Sequence, residues 1–418
     1  MRGRRLRGSG RADHGVVGVR VRGRGSGCRG RVRSSPRRRV RERPACVSAY
    51  GRGHAVFRHL RPHAEVRNER RFMTSYDDLL RKSRDAGPFY APTPFWEAGV
   101  AKIIEDLDRD GIENFRNRGA PLSFFVPTYG YPGNSLSPEQ IAALQGVAEG
   151  FPAKQRAMVD AWLSGEAHAL SDYRAFSAAA RAGKAERLLA FSEHDAGNPV
   201  GQFTFDGRAY SRSSLNYLMG LAFLAEHADL DGIGTVLEIG GGFGTLGEVL
   251  LKCWRHGSIR YIDVDIPPTC QFADYYLSHA FAGTDRMLST DSAEADNLAI
   301  EALPPVSVLP NWQIEALDGE IDLFVNFISF QEMEPDVVGN YLHHVNRLGA
   351  KWVLLRNMRE GKQRRSGAGH VGVDEPILSG DYDRMLPGYE VVARDTTVFG
   401  YRTSDGFHSD LVLYRRAA

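Results

Sequence analysis

The chain has 418 residues, of which 42% are apolar and 25% charged. That composition excludes a wholly disordered, collagen-like or coiled-coil chain, and the length allows two or three domains with a large core. The formal net charge of +2 hides a division: residues 1–72 carry 22 arginines, no lysine and four carboxylates, a net of +18, and the remainder carries −16.

The leader, residues 1–72, is rich in Arg and Gly and has no helical or strand periodicity. A nucleic-acid arm would share its charge but would interleave aromatics and lysines. A transit peptide would be amphipathic and serine-rich. Arg, Gly, Ala and Pro have GC-rich codons, and total avoidance of Lys is what translated GC-rich upstream DNA gives. The expectation is a disordered leader read from upstream of a start at Met73, with Glu69-Arg70-Arg71 encoded by a purine-rich ribosome-binding stretch. No nucleic-acid partner is expected, since the rest of the chain is acidic.

From Met73 to about residue 200 the pattern is helical. Trp96, Val100, Ile103, Ile104 and Leu107 fall on one helix face. Ser137-Pro138-Glu139-Gln140 supplies a cap, a first-turn proline and a capping-box partner ahead of Ile141, Leu144 and Phe151. An Ala-rich stretch from Asp172 to Phe191 predicts another helix. Loop signals run from Pro121 to Pro127 and from Tyr129 to Gly133. Residues 73–200 are therefore expected to form a helical cap that shapes an acceptor pocket.

Residues 201–418 alternate differently. A helix over Ser214–His227 precedes apolar runs at Thr235–Ile239, Ile259–Val264, Ile321–Asn326 and Lys351–Leu355, separated by helix-length segments. This predicts an α/β domain with a parallel sheet covered on both faces. Tyr389–Phe399 and Ser409–Tyr414 are expected to close it as an antiparallel hairpin, giving a Rossmann-like, seven-stranded sheet. No run of about 18 apolar residues is present, so no membrane span is expected. Cys28, Cys46, Cys253 and Cys270 form no C-x-x-C pair, so no metal site or disulfide framework is indicated, and a reducing cytoplasm is the expected compartment.

Glu238-Ile239-Gly240-Gly241-Gly242-Phe243-Gly244 carries the chemistry. Glycines directly after a strand let a ligand approach the backbone, and the next helix presents free N–H groups. A dinucleotide register, Gly242-x-Gly244-x-x-Gly247, begins two residues too far beyond the strand. The register Glu238-x-Gly240-x-Gly242-x-Gly244 instead suits S-adenosylmethionine. A carboxylate ending the second strand would accept both ribose hydroxyls, because two oxygens match two vicinal donors. Asp263 and Asp265 both qualify by distance; Asp265 is chosen because the strand must stop before Pro267.

The segments Leu237 to Leu246, Asp265-Ile266-Pro267 with Asp274-Tyr275-Tyr276-Leu277, and Asn326 with Ser329-Phe330-Gln331-Glu332-Met333 together resemble one family. It is the sugar O-methyltransferases of actinobacterial natural-product clusters, similar to the enzyme proposed to methylate the deoxysugar of the polyether nanchangmycin. Phe95-Trp96, Phe115-Arg116, Asn198-Pro199 and Asn216-Tyr217 share the resemblance, which covers about residues 90–415. It implies a class I methyltransferase fold, S-adenosyl-L-methionine as cofactor and a sugar hydroxyl, on a glycoside or nucleotide-sugar, as acceptor. A homo-oligomer is compatible with it.

In an open α/β sheet the pocket lies past the strand ends. Asn326 is then placed beside the cofactor and Gln331 beside the acceptor. Glu332 is the first candidate base, since a sugar hydroxyl is a weak nucleophile. His194, in a loop, and His370, in the glycine-rich Gly367–His370 loop, are the others, and His408 also falls near a strand edge. His227, His343 and His344 are read as packing or surface residues, and Asp381-Tyr382-Asp383 as a solvated turn. Arg356 to Arg365 forms a basic loop after the fifth strand, and Arg364 with Arg365 would suit an acceptor's diphosphate. Two alternatives stand: methylation of a carboxylate or other oxygen, and a catalytically silent binding module. A chain begun at Met73 is expected to keep its stability; loss of cooperative thermal unfolding in that truncation would overturn the reading of the leader.

Overall fold

The structure, a computed structural model, describes residues 76–117, 136–254, 259–367, 372–395 and 408–417. The arginine-rich leader, Met73, the loop signals between 121 and 133, and His370 lie outside the described residues. Contacts divide the chain after Leu60, and every described residue belongs to the second unit.

The helical segment opens with α1 (76–85) and α2 (Pro94–Asp110). Pro94 starts α2 where a missing N–H does no harm, and Gly111 ends it at φ 78°. Trp96, Val100, Ile103 and Leu107 bury the expected face. Ser137 and Gln140 cap α3 (Pro138–Ala148) reciprocally, as the capping box requires. The apolar residues behind that cap are not a core face, however: Leu144, Val147 and Phe151 are exposed, as are Met158 and Trp162 of α4 (Ala153–Leu163). α5 (Glu166–Ala182) begins six residues before the expected start and stops at Gly183, which separates it from a short 3-10 turn at Glu186–Ala190.

A hairpin of β1 (Gln202–Phe205) and β2 (Arg208–Ser211) then leads into α6 (Arg212–His227), capped by Ser211 and Ser214. The α/β succession follows in order. It comprises β3 (Thr235–Ile239), α7 (Thr245–Cys253), β4 (Arg260–Asp265) and α8 (Thr269–Ala280). Next come β5 (Arg286–Met287), α9 (Ser289–Ser292), β6 (Leu298–Ala299), β7 (Val306–Pro310), β8 (Leu317–Asp318) and β9 (Leu323–Phe327). The last are α10 (Pro335–Arg347), β10 (Trp352–Met358), α11 (Ser379–Met385), β11 (Tyr389–Asp395) and β12 (Ser409–Arg416).

One sheet takes eight of these strands in the order β11-β12-β10-β9-β3-β4-β7-β5. The six from β10 to β5 are mutually parallel, and β12 inserts antiparallel to both β10 and β11. The count is thus eight rather than the expected seven, the extra strand being the two-residue β5 at the edge. The antiparallel closure is present, although the connection from 396 to 407 lies outside the described residues. Asp381-Tyr382-Asp383 is not a solvated turn: it lies in α11, with Tyr382 buried.

Apolar side chains pack on both faces of the sheet. Val236, Tyr261, Leu323 and Val325 join the cluster that contains α2, α5, α6, α7 and α8. Leu237, Ile239, Ile262, Val264 and Phe324 join the other, with α10. The first cluster runs unbroken across residue 200, so the helical segment and the sheet share a core. None of the described helices is long and apolar enough to cross a membrane.

α6 packs so closely on β9 that a methyl at Gly220 would overlap the Phe327 ring. Gly220→Ala should therefore destabilise the fold by about 1–3 kcal/mol. Urea unfolding measures this, and an unchanged midpoint would contradict the contact.

Candidate functional site

Period-2 alternation determines what lies beneath the glycine loop. Leu237 and Ile239 of β3 face α10, so Glu238 faces the opposite side. By the same rule Tyr261, Asp263 and Asp265 of β4 share that side. Three carboxylates therefore converge under the turn between β3 and α7. The turn itself requires glycine: Gly240 and Gly242 have φ 73° and 66°. A Cβ at Gly240 would collide with Ser329, and one at Gly241 would lie 2.5 Å from Asp263 Oδ1.

A cavity of about 340 Å³ opens above this loop. Gly240–Phe243, Asp265, Ile266 and Thr269 form its floor, Phe89, Phe95 and Trp96 reach it from the helical segment, and Ser213, Asn216 and Tyr217 reach it from α6. Phe327–Ser329, Gln331–Met333, Met358, Lys362 and Gln363 form much of the wall.

Asp265 lines this cavity, whereas the fully buried Asp263 does not. Its Oδ2 accepts from the Gly242 N–H at 2.9 Å and its Oδ1 from the Ile266 N–H at 2.7 Å. Burial pushes Asp265 up to about 7, against the pull of those two donors. Burial also raises Glu238, to about 8; the hydroxyls of Tyr261 and Tyr217 oppose that, and the Asp265 charge adds to it. Tyr261 donates to Glu238 Oε2 at 2.6 Å. Glu238 is fully buried beneath the loop and does not line the cavity. Gly244 does not line it either, but packs on Leu277.

The remaining expected site residues separate. Asn326 faces α10 with Phe324 and is absent from the cavity wall. Its amide donates to the Ile239 carbonyl at 2.9 Å and to Ser329 at 2.6 Å, and its oxygen accepts from Asn357 and Phe330, so it ties β9 to β3. Gln331 lines the cavity, with its carboxamide oxygen accepting from Met358 N at 2.7 Å. Glu332 also lines it, and Lys362 donates to its Oε1 at 2.9 Å.

His194 is not at the cavity. Its ring accepts from Ala196 N and stands edge-on to Tyr276, and burial lowers its pKa. His408 contacts Glu360 and Arg359. The basic segment also divides: Arg356 is buried within β10, and Arg365 is paired with Asp374. Neither Arg364 nor Arg365 lines the cavity; Lys362 does. Lys362 and Thr269 line the cavity though neither was a candidate site residue, and Asn216 had entered only through the family resemblance. For Asn216 the available signal was polar residues at 212–214 and 216, inside a helix buried almost all round.

No family model and no curated protein matches this sequence. Solved structures do match part of it. The mitomycin 7-O-methyltransferase MmcR is 16% identical, covering 50% of this chain and 55% of its own, with a TM-score of 0.33. NcsB1, an O-methyltransferase from neocarzinostatin biosynthesis solved with S-adenosyl-L-homocysteine and 1,4-dihydroxy-2-naphthoic acid, is 14% identical over 49% and 55%, with a TM-score of 0.32. The N-terminal domain of EvdMO1, solved in the presence of S-adenosylhomocysteine and D-fucose, is 15% identical over 56% and 94%, again at 0.32. This chain thus spans about half the length of the first two.

Burial raises both Asp265 and Glu238, so the folded chain should keep these protons to higher pH than the unfolded chain does. Stability should therefore fall as pH rises from about 5 to 8, by about 1.4 kcal/mol per pH unit for each proton retained. Asp265→Asn should flatten that slope. Urea midpoints at several pH values test it, and an identical slope in the variant would place the proton elsewhere.

Proposed function

We propose that this chain is an S-adenosylmethionine-dependent O-methyltransferase acting on a hydroxyl of a small molecule, with a sugar as the acceptor. One observation carries the reading: a carboxylate at the end of β4, Asp265, is bonded to the glycine loop after β3 at the floor of the cavity. Its two oxygens match the vicinal hydroxyls of a ribose, and the glycines leave room for the rest of a nucleoside along the backbone. Bound there, S-adenosylmethionine would supply a methyl group on a sulfonium centre with a neutral thioether as leaving group.

The chain's own task is then to position the acceptor oxygen and exclude water. Phe89, Phe95 and Trp96 give the cavity an apolar wall suited to a sugar's C–H face. The carboxylate of Glu332, at the cavity wall, would take the hydroxyl proton through one oxygen while Lys362 holds the other. Lys362 also favours a second reading, since a cation at the cavity would attract a carboxylate or phosphate on the acceptor. In that reading it replaces Arg364 and Arg365 as the contact for the acceptor's anionic group.

Glu332→Gln should lower turnover about 10²–10⁴-fold while leaving S-adenosylhomocysteine affinity unchanged. A near-wild-type rate would reduce Glu332 to an anchor for Lys362. Gly242→Val forces a side chain into a positive-φ turn at the cavity floor and should weaken S-adenosylhomocysteine binding in calorimetry. Unchanged affinity would remove the loop from the cofactor site. Tight cofactor binding without turnover across sugar and carboxylate acceptors would favour the silent binding module.

A further inference from the structure

We infer that Asn216 of α6 anchors the amino-acid end of the methyl donor, its carboxamide oxygen accepting from the donor's α-ammonium group. This rests on the cofactor reading above and adds the contact for the cofactor's second end.

Asn216 lines the cavity and is 2% exposed. Its Oδ1 is buried and has no hydrogen-bond partner among the described residues. Buried polar oxygens in folded proteins nearly always have a donor, so an unpartnered one on a residue that lines the cavity points to a donor on the ligand. The carboxamide suits an amino acid in particular. Its oxygen accepts from an ammonium, and its NH₂ can donate to the neighbouring carboxylate.

The position of α6 selects which end of the ligand that is. Ser213, one turn earlier, lies 3.4 Å from Thr245 at the start of α7. Tyr217, the next residue, stacks on Phe327 at the end of β9, with ring centroids 5.0 Å apart and planes within 2°. α6 thus crosses the loop from the start of α7 to the end of β9, with Asn216 between these contacts. In the sheet β9, β3 and β4 are consecutive, so Asp265 closes the β4 side and Asn216 the β9 side. A ribose at Asp265 extends its 5′ substituent over Gly240–Gly242 towards β9. There Glu332 is engaged by Lys362 and the Gln331 oxygen by Met358 N, which leaves Asn216 Oδ1 to receive an ammonium. Thr269 Oγ1, the other unpartnered buried atom of the described cavity wall, is on the β4 side at the start of α8.

Calorimetry with S-adenosylhomocysteine and 5′-methylthioadenosine tests this, since the second ligand lacks the amino-acid group. Asn216→Ala should weaken S-adenosylhomocysteine roughly 10- to 100-fold and leave methylthioadenosine within about twofold. Asn216→Asp keeps an acceptor oxygen and should retain S-adenosylhomocysteine binding. Thermal unfolding checks each variant; should Asn216→Ala not fold, Asn216→Ser carries the same comparison. An equal loss for both ligands would overturn the inference in favour of a structural role. Unchanged affinity with a raised acceptor KM would overturn it in favour of the acceptor site. Wild-type protein binding both ligands equally would overturn the inference and spare the cofactor reading; binding neither would overturn both.

Discussion

Three carboxylates share one face of two adjacent strands, and the architecture around the cavity follows from that constraint. Glu238, Asp263 and Asp265 are buried together because strand periodicity sends them to the side where α6, α7 and α8 pack. Charge there is disfavoured by desolvation and by mutual repulsion, so the surroundings supply donors. Tyr261 answers Glu238, and the N–H groups of Gly242 and Ile266 answer Asp265. The glycine loop is therefore held from below by hydrogen bonds to carboxylates, while its upper side stays open to a ligand. A group with vicinal hydroxyls would add donors to the one carboxylate of the three that reaches the cavity.

The helical segment is part of the same device. Arg116 is buried between Glu193, the carbonyls of His194 and Ala196, and the rings of Phe243 and Tyr276. Phe243 belongs to the glycine loop, so this cation ties residues outside the sheet to the cavity floor. Glu248 of α7 repeats the link, accepting from the His194 backbone N–H, from Tyr276 and from Lys252. Removing one partner of such a buried pair leaves an uncompensated charge. The loop's shape thus depends on contacts made before residue 200, and the cap and the sheet form one working unit.

Much of this was legible. The strand–glycine–helix motif and the choice of Asp265 over Asp263 needed only spacing and the stop at Pro267, and Asp265 is the one that lines the cavity. The sheet was less so. β7 is an inner strand that no apolar run announced, since Pro305 precedes it and Pro310 ends it. Arg356 reads as a solvated charge, yet it lies inside β10; burial raises the pKa of Asp172, and the charges of Arg212 and then Arg356 oppose that rise. Asn326 was assigned to the cofactor because it ends a strand; alternation turns it towards α10 instead. His194 could not be judged from sequence, because its role here is carried by its backbone and by ring packing rather than by titration. Among the basic residues of that segment, what brings Lys362 to the cavity is its position in the fold.

The central claim is that Asp265, raised to about 7 by burial, receives a ribose in its ionised form. Calorimetry of S-adenosylhomocysteine binding at pH 6.5, repeated in buffers of different ionisation enthalpy, measures this directly. Ribose hydroxyls favour the carboxylate, so binding should release roughly half a proton or more per ligand, and Asp265→Asn should abolish that release. Proton uptake, or an unchanged release in the variant, would contradict the account.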